Sequence, residues 1–375
     1  MMVNENGDAA VPGGNTLVPP MTKLTSPVRR ILITRMKFIG DIILTTPVIR
    51  AVRHASPDAF IAYLGEARAV SLLEENPHLN EIIGFDFSRP TILEQARVAL
   101  LLRRRKFDLV IDLFGNPRSA LLTYLSGARI RVGLDRKGRG RLYTVRVADD
   151  GTARNAIEFH SQFPAAVGIP PLDARTEIVL TEKERTDAGL MLRSLTGPRD
   201  PSTPLIGIHP GATWPAKRWP ADRFAKLADH LARELRAQVV VVAGPGDGDA
   251  VRAMVSEATT RHVVLPVLSL RRLAAVISLC NVFVGNDAGP MHMSVAVGTP
   301  TIGLFGPGEE QIWFPYSAAD GHQALRKDVP CHPCHLDFCN RKGEGFMECM
   351  KLLSENDVFQ AVTSAPVKRS RNSLR

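Results

Sequence analysis

The chain has 375 residues, 45% of them hydrophobic, and a formal charge of +9. That length favours two domains over one, and no apolar run reaches the roughly 18 residues that a membrane span needs. The positive balance favours an anionic partner. Aromatic residues make up only 6%, however, and zinc-finger, RNP-like and basic heptad patterns are missing, which counts against nucleic acid as that partner.

Residues 1–27 lack the charged and apolar regions of a signal peptide and are expected to form a disordered leader, as is the basic tail Lys368-Arg369-Ser370-Arg371. A cytoplasmic location follows as the default. Arg30 to Thr34 is a short β-branched run, followed by a loop ending in Gly40-Asp41. An apolar helical pattern continues through Ile42, Ile43, Val48 and Val52, with a kink expected at Pro47. Strands are expected over 60–64 and 81–87, and 107–113 reads as a buried parallel strand. Strand–helix alternation to about residue 170 predicts a doubly wound parallel sheet, and hence an N-terminal Rossmann-like domain over 28–180.

A strand-like stretch over 177–180, a charged helix and a break at Gly197-Pro198 place the domain boundary here, with 181–204 as a linker region. The same grammar then restarts. Strands are expected over 205–208, 238–243, 282–284 and 300–305, and helices over 222–235 and 270–279. Residues 205–350 form a second Rossmann-like domain, and 351–375 a C-terminal helix with the basic tail. Two such α/β domains facing a central cleft would bind ligands at the carboxyl ends of their strands.

Each candidate loop follows an expected strand, where small residues let backbone N–H groups approach a phosphate and a helix N-terminus adds its dipole. No phosphate-binding P-loop and no G-x-G-x-x-G opening a helix is present, which counts against an ATPase or a typical dinucleotide enzyme. Between His209 and Pro220, the Thr213 hydroxyl and the Lys217 cation form a clamp suited to a pyrophosphate. The bland alternative is a surface loop in which Trp214 and Trp219 pin the next helix. Between Val284 and His292, Asp287 is placed to accept from sugar hydroxyls, while Gly289 N–H and His292 can donate to phosphate oxygens. A purely structural histidine is the competing explanation. Asp41, after Gly40 and before a helix, is also explained as a helix N-cap.

Together with Gly40-Asp41, Lys217-Arg218-Trp219 and Phe305-Gly306-Pro307, these motifs resemble glycosyltransferase family 9, the lipopolysaccharide heptosyltransferases, in order from about Arg30 to about Val362. The resemblance implies a GT-B fold and inverting, metal-independent transfer of heptose from ADP-heptose to the inner core of lipopolysaccharide. It implies Asp41 as catalytic base and Thr213 and Lys217 as pyrophosphate contacts, with Ala212 where a second hydroxyl is often found. Asp287, Gly289 and His292 would be donor contacts, the Leu268 backbone would meet the adenine edge, and Asp247 or Asp249 would take the ribose. Glycosyl transfer needs a base for the acceptor hydroxyl and a charge partner for the departing diphosphate. Asp41 and Lys217 would supply these from opposite walls of the cleft. The implied partners are a nucleotide-sugar donor and an anionic lipid-linked oligosaccharide acceptor, with peripheral contact at the inner face of the inner membrane and no nucleic acid.

Asp247-Gly248-Asp249 is formally a D-x-D triplet, the diphosphate–metal signature of another glycosyltransferase class, but a Gly-rich turn suits a cation shell poorly. No cofactor is expected to be required. Arg136, Lys137 and Arg139 lie in a basic run and are candidates either for acceptor phosphates or for a solvated loop. Cys331, Cys334, Cys339 and Cys349, spaced C-x2-C-x4-C-x9-C, read first as reduced thiols, with a structural zinc as the next reading and disulfides or an iron–sulfur cluster as further alternatives. Competing functions are a relative using another nucleotide sugar or acceptor, a nucleotide-sugar epimerase of similar fold, and a non-catalytic binding protein.

Overall fold

The computed structural model describes residues 28–198, 200 and 202–366, so the leader over 1–27 and the basic tail at Lys368 to Arg371 lie outside the described residues. The chain divides after Thr176 into two compact units.

The first unit opens with β1 (Arg30–Thr34), α1 (Ile39–Leu44) and α2 (Thr46–Ala55). The single kinked helix expected at Pro47 is in fact two. Thr45 interrupts the run, its hydroxyl donating to the Ile42 carbonyl at 2.7 Å and sharing a hydrogen bond with Tyr63. Pro47 then falls in the first turn of α2, where its missing N–H leaves nothing unsatisfied. The unit continues through β2 (Phe60–Glu66), β3 (Glu81–Phe85), α3 (Thr91–Arg105), β4 (Leu109–Asp112), α4 (Pro117–Leu125), β5 (Ile130–Leu134), β6 (Val145–Val147) and α5 (Ala156–Ala165). Its six strands pair in the order β3-β2-β1-β4-β5-β6, all parallel. Alternate residues of β1 face opposite sides: Ile31 and Ile33 pack with Val48, Val52 and Phe163, and Leu32 packs with Val98, Leu102 and Leu122. Burial on both faces is why the strands read as continuous apolar runs.

The second unit contains α6 (Glu182–Thr196), β7 (Leu205–His209), α7 (Ala221–Glu234), β8 (Gln238–Val241), α8 (Gly248–Glu257), β9 (Val263–Val264), α9 (Leu270–Leu279), β10 (Val282–Asn286) and α10 (Gly289–Ala296). It ends with β11 (Thr301–Leu304), α11 (Glu310–Trp313), β12 (Gln323–Leu325), α12 (Glu348–Lys351) and α13 (Glu355–Ser364). Its sheet is again parallel, in the order β12-β11-β10-β7-β8-β9. Ile206, Val239, Val284 and Ile302 pack with Phe224 and Leu231 of α7 and Val358 and Val362 of α13.

Two expectations about the boundary change. Residues 177–180 form no strand, because the Ile178 N–H bonds the Ala296 carbonyl at the end of α10 rather than a strand neighbour. The segment over 181–204 is not a free linker, since α6 is tied to α9. The Glu184 carboxylate accepts from Arg271 Nε at 2.5 Å and Nη2 at 2.6 Å, and Arg271 Nη2 also donates to the Val179 carbonyl. On the other side of the division, Arg50 of α2 holds Asp173 and the Arg175 carbonyl.

The hydrogen bonds from Arg271, then those from Thr181, hold the Glu184 carboxyl at about 2 against an ordinary 4.5. Unfolded chains therefore take up a proton that the folded chain refuses between those values, so this contribution is complete above pH 4.5 and is lost as pH falls towards 2. Glu184→Gln should lower stability to urea by about 1–3 kcal/mol at neutral pH. The difference from the parent should shrink as both are titrated into acid, and a constant difference would contradict the assignment.

Candidate active site

In each sheet the chain lays its first strand in the middle, builds outward on one side, then crosses to the other. The order therefore reverses between β1 and β4 in the first unit and between β7 and β10 in the second. Loops diverge from such a point at the carboxyl ends of the strands, and ligands bind in the opening.

In the first unit Arg35, directly after β1, spans this point. Its Nη1 donates to the Leu113 carbonyl beyond β4 at 3.0 Å, and its Nη2 pairs with Asp41 Oδ1. Asp41 is not the N-cap that the sequence allowed. Phe38 holds that position, and Asp41 is the third residue of α1, its Oδ2 accepting the Phe38 N–H at 3.1 Å. The pair is largely enclosed, with side chains 8% and 12% exposed, and the Phe114 ring lies 4.8 Å from the guanidinium. His160 of α5 is buried behind it. Burial, then the Arg35 charge, drive the His160 pKa down to about 3, with Asp41 opposing, so the imidazole is neutral.

The basic turn after β5 sits on the same carboxyl edge. Arg139 Nε donates to the Gly115 carbonyl at 2.9 Å, Lys137 is exposed at a positive φ, and Arg136 is half-buried. Arg35 and Arg139 thus grip one segment, 113–115, from two sides. That segment is shaped from beneath by Asp112, which accepts from the Phe114 and Gly115 N–H groups and from the Ser119 and Tyr143 hydroxyls.

In the second unit Lys217 ends a 3-10 turn after β7, and its Nζ lies 2.5 Å from Asp287 Oδ2 beyond β10, across the reversal. The Trp214 ring faces the same ammonium at 4.5 Å. Trp219 plays the structural part: it is buried, donates from Nε1 to the Leu353 carbonyl and packs edge-on against Phe224. Asn286 locks the two loops together, donating to the Pro210 and Gly211 carbonyls and accepting the Trp219 N–H. Thr213 is exposed at the loop tip, Gly289 opens α10, and His292 is buried with Nδ1 2.7 Å from the Tyr316 hydroxyl. Leu268 is half-buried just before Ser269, the N-cap of α9.

The two aspartates after Gly244 part company. Asp247 turns inward, its Oδ2 accepting the Gly244 N–H at 2.6 Å and lying 3.0 Å from His209 Nε2. Burial pushes its carboxyl up, but the bond and charge of His209 and the Gly244 N–H together outweigh that and leave it below the ordinary value. Asp249 is 89% exposed and pairs with Arg252. The D-x-D triplet thus presents its carboxylates to different environments, and among the described residues no group of three or more His, Cys, Asp or Glu side chains is gathered to hold a metal.

The Cys-rich segment packs over the same loops. The Asp337 carbonyl accepts the Ala216 N–H at 2.9 Å, His332 Nε2 lies 2.9 Å from the Gly308 carbonyl, and the Cys334 and His335 N–H groups bond the Pro307 carbonyl. All five cysteines are free thiols rather than disulfides. Burial, then the neighbouring Cys334, Cys331 and Cys339, push the Cys349 thiol up to about 11. Motif reading did not single out Arg35, His209, Asn286 or Tyr316, the residues that hold the expected ones in place. For Arg35 a signal existed, a cation closing an apolar strand just before Gly40-Asp41.

Because His160 accepts no proton until about pH 3 while an unfolded histidine does so at 6.5, folding should weaken progressively as pH falls through that interval. His160→Gln should flatten the acid side of the stability curve by up to about 1 kcal/mol per pH unit. Urea melts from pH 7 to pH 4 check this, and parallel curves for the two proteins would refute it.

The family model of glycosyltransferase family 9 (heptosyltransferase) matches residues 96–343. Lipopolysaccharide heptosyltransferase 3 of Escherichia coli is 28% identical over 305 residues, spanning 75% of this chain and 85% of that one. Lipopolysaccharide heptosyltransferase 2 of Salmonella typhimurium is 29% identical over 356 residues, spanning 88% and 100%. The crystal structure of a family 9 glycosyl transferase from Veillonella parvula superposes with a TM-score of 0.78 at 28% identity, covering 89% of this chain and 96% of that one. With two Rossmann-like units and that family match, the chain has the GT-B fold and belongs to glycosyltransferase family 9, the heptosyltransferases.

Proposed function

We propose that the chain transfers heptose from ADP-heptose to the inner core of lipopolysaccharide, with inversion and without a metal. The observation that carries this reading is the Lys217 ammonium held at the reversal between β7 and β10, in a chain whose relatives are lipopolysaccharide heptosyltransferases. There it meets the diphosphate and takes up the charge that develops as the glycosidic C–O bond breaks. The Thr213 hydroxyl, the Gly289 N–H at the start of α10 and His292 complete the phosphate contacts, and Asp287 addresses the sugar. Leu268 offers its backbone to the adenine. Of the two acids after Gly244, Asp247 is the ribose ligand, because it faces the β7 loop while Asp249 points into solvent.

The first unit supplies the base. Asp41 takes the proton of the acceptor hydroxyl as that oxygen bonds the anomeric carbon from the side opposite the leaving diphosphate. Arg35 and the Phe38 N–H fix the orientation of its carboxylate. The basic turn at Arg136, Lys137 and Arg139 receives the acceptor's phosphates and carboxylates, and shares the 113–115 segment with Arg35. The acceptor is lipid-linked, and the protein works in the cytoplasm at the inner face of the inner membrane. No helix among the described residues is long and apolar enough to cross a membrane.

Assayed with ADP-heptose and a core acceptor in the presence of EDTA, the wild-type chain should add one heptose. Asp41→Asn should lower that rate by about 10²–10⁴-fold while ADP still raises the melting temperature normally. Retained turnover in the variant would remove the base assignment. Replacing Arg136, Lys137 and Arg139 together by alanine should raise the acceptor KM about tenfold with donor affinity unchanged, each lost cation giving up roughly 1 kcal/mol or less. An unaltered acceptor KM would return these residues to a solvated loop.

A further inference from the structure

Six large apolar side chains are exposed together on α3 and α4: Ile92, Leu93, Leu100, Leu121, Tyr124 and Leu125. The two helices run side by side and parallel. Gln95 Nε2 donates to the Arg118 carbonyl near their starts, and the Arg103 guanidinium lies against Gly127 just past the end of α4. At 3.6 residues per turn, Ile92, Ala96, Leu100 and Arg103 share the outer face of α3, flanked by Leu93 and Arg104, while Val98 and Leu102 point into the core. On α4, Leu121, Tyr124 and Leu125 recur at the spacing of one face.

The exposed charge on these two helices has one sign. Glu94, the sole acid in either helix, is buried. Arg103, Arg104 and Lys106 close α3, and Arg129 follows α4, all exposed. Arg131 lies over the Tyr124 ring. The surface also leads towards the base: Arg118 and Lys37 both stand over the Phe87 ring, and the exposed Phe38 caps the helix that carries Asp41.

We propose that this face docks the protein onto an anionic phospholipid leaflet. Helix α3 would lie in the plane of the surface, its leucines at the headgroup boundary and the arginines of both helices on lipid phosphates. A contiguous apolar face marks an interaction site, and an apolar stripe bordered by arginine is the pattern of interfacial helices. A second copy fits poorly, because a two-fold contact joins two faces of like charge, with no exposed acid on either helix to pair the arginines. The choice of a membrane rests on the lipid-linked acceptor proposed above, and it puts that acceptor's anchor and the Asp41 loop on one continuous surface.

Flotation of the full chain with phosphatidylethanolamine–phosphatidylglycerol vesicles, compared with phosphatidylcholine vesicles, tests the proposal. The wild type should bind the anionic vesicles at least about tenfold more tightly, and salt should weaken binding. The pair Ile92→Glu and Leu100→Glu should lose binding to both kinds of vesicle. The pair Arg103→Gln and Arg104→Gln should lose only the preference for anionic lipid. Both variants should melt like the parent and turn over a deacylated, water-soluble acceptor at the parent's rate. Equal vesicle binding by variants and parent, no binding by the parent, or a parental dimer that the glutamates dissociate would each overturn it. Normal vesicle binding with no transfer from ADP-heptose would instead sink the functional reading alone.

Discussion

A parallel sheet that begins in its own middle must part its loops where the strand order reverses, and both sheets of this protein staple that parting with charge. In the first, Arg35 reaches from the end of β1 to the Leu113 carbonyl beyond β4 and holds Asp41. In the second, Lys217 after β7 meets Asp287 after β10. These groups are mostly shielded from water, so their fields are screened far less than those of surface ions. A carboxylate or ammonium left alone there would be costly, and pairing each one fixes its direction as well as its charge.

Around these staples the supporting groups act mostly on backbone. Asn286 makes all three of its named hydrogen bonds with the loop between β7 and α7. Asp112 gathers four donors to shape the segment that both Arg35 and Arg139 grip. The Cys-rich segment has almost no regular structure of its own, yet its Asp337 carbonyl and His332 ring bond the turns that flank Lys217 and Asp287. Turns held in this way have their geometry set by the fold itself, and preorganisation of that kind is what electrostatic stabilisation of a developing charge requires.

Which parts could be read from the residues follows from how local each cause is. Strands buried on both faces announce themselves as apolar runs, so the alternation of both units was legible, and so were the loops that carry Thr213, Lys217, Asp287 and His292. The charged helix α6 is legible as a helix but reads as part of a linker region, because its buried seam is thin, resting on Ala188 and Leu192; its decisive tie to Arg271 lies 87 residues away. The start of α1 is hard to read because phenylalanine is not a capping residue by its side chain; the Phe38 N–H is satisfied instead by Asp41, three positions on, which leaves Asp41 looking like a cap itself. Nothing between Gly244 and Arg252 distinguishes Asp247 from Asp249. The inward turn of Asp247 is set by His209, 38 residues upstream.

Gly211 is where these loops come closest. A Cβ built there would lie 2.1 Å from the Asp247 carboxyl carbon, deep inside any allowed contact. Position 211 therefore acts as a spacer of zero thickness between the turns after β7 and β8. Even a methyl group would push the Asp247 carboxylate off the Gly244 N–H and the His209 ring that hold it. Side chains of any size fit at the exposed loop tip of Thr213, and none fits at the turn beneath it without displacing a neighbour.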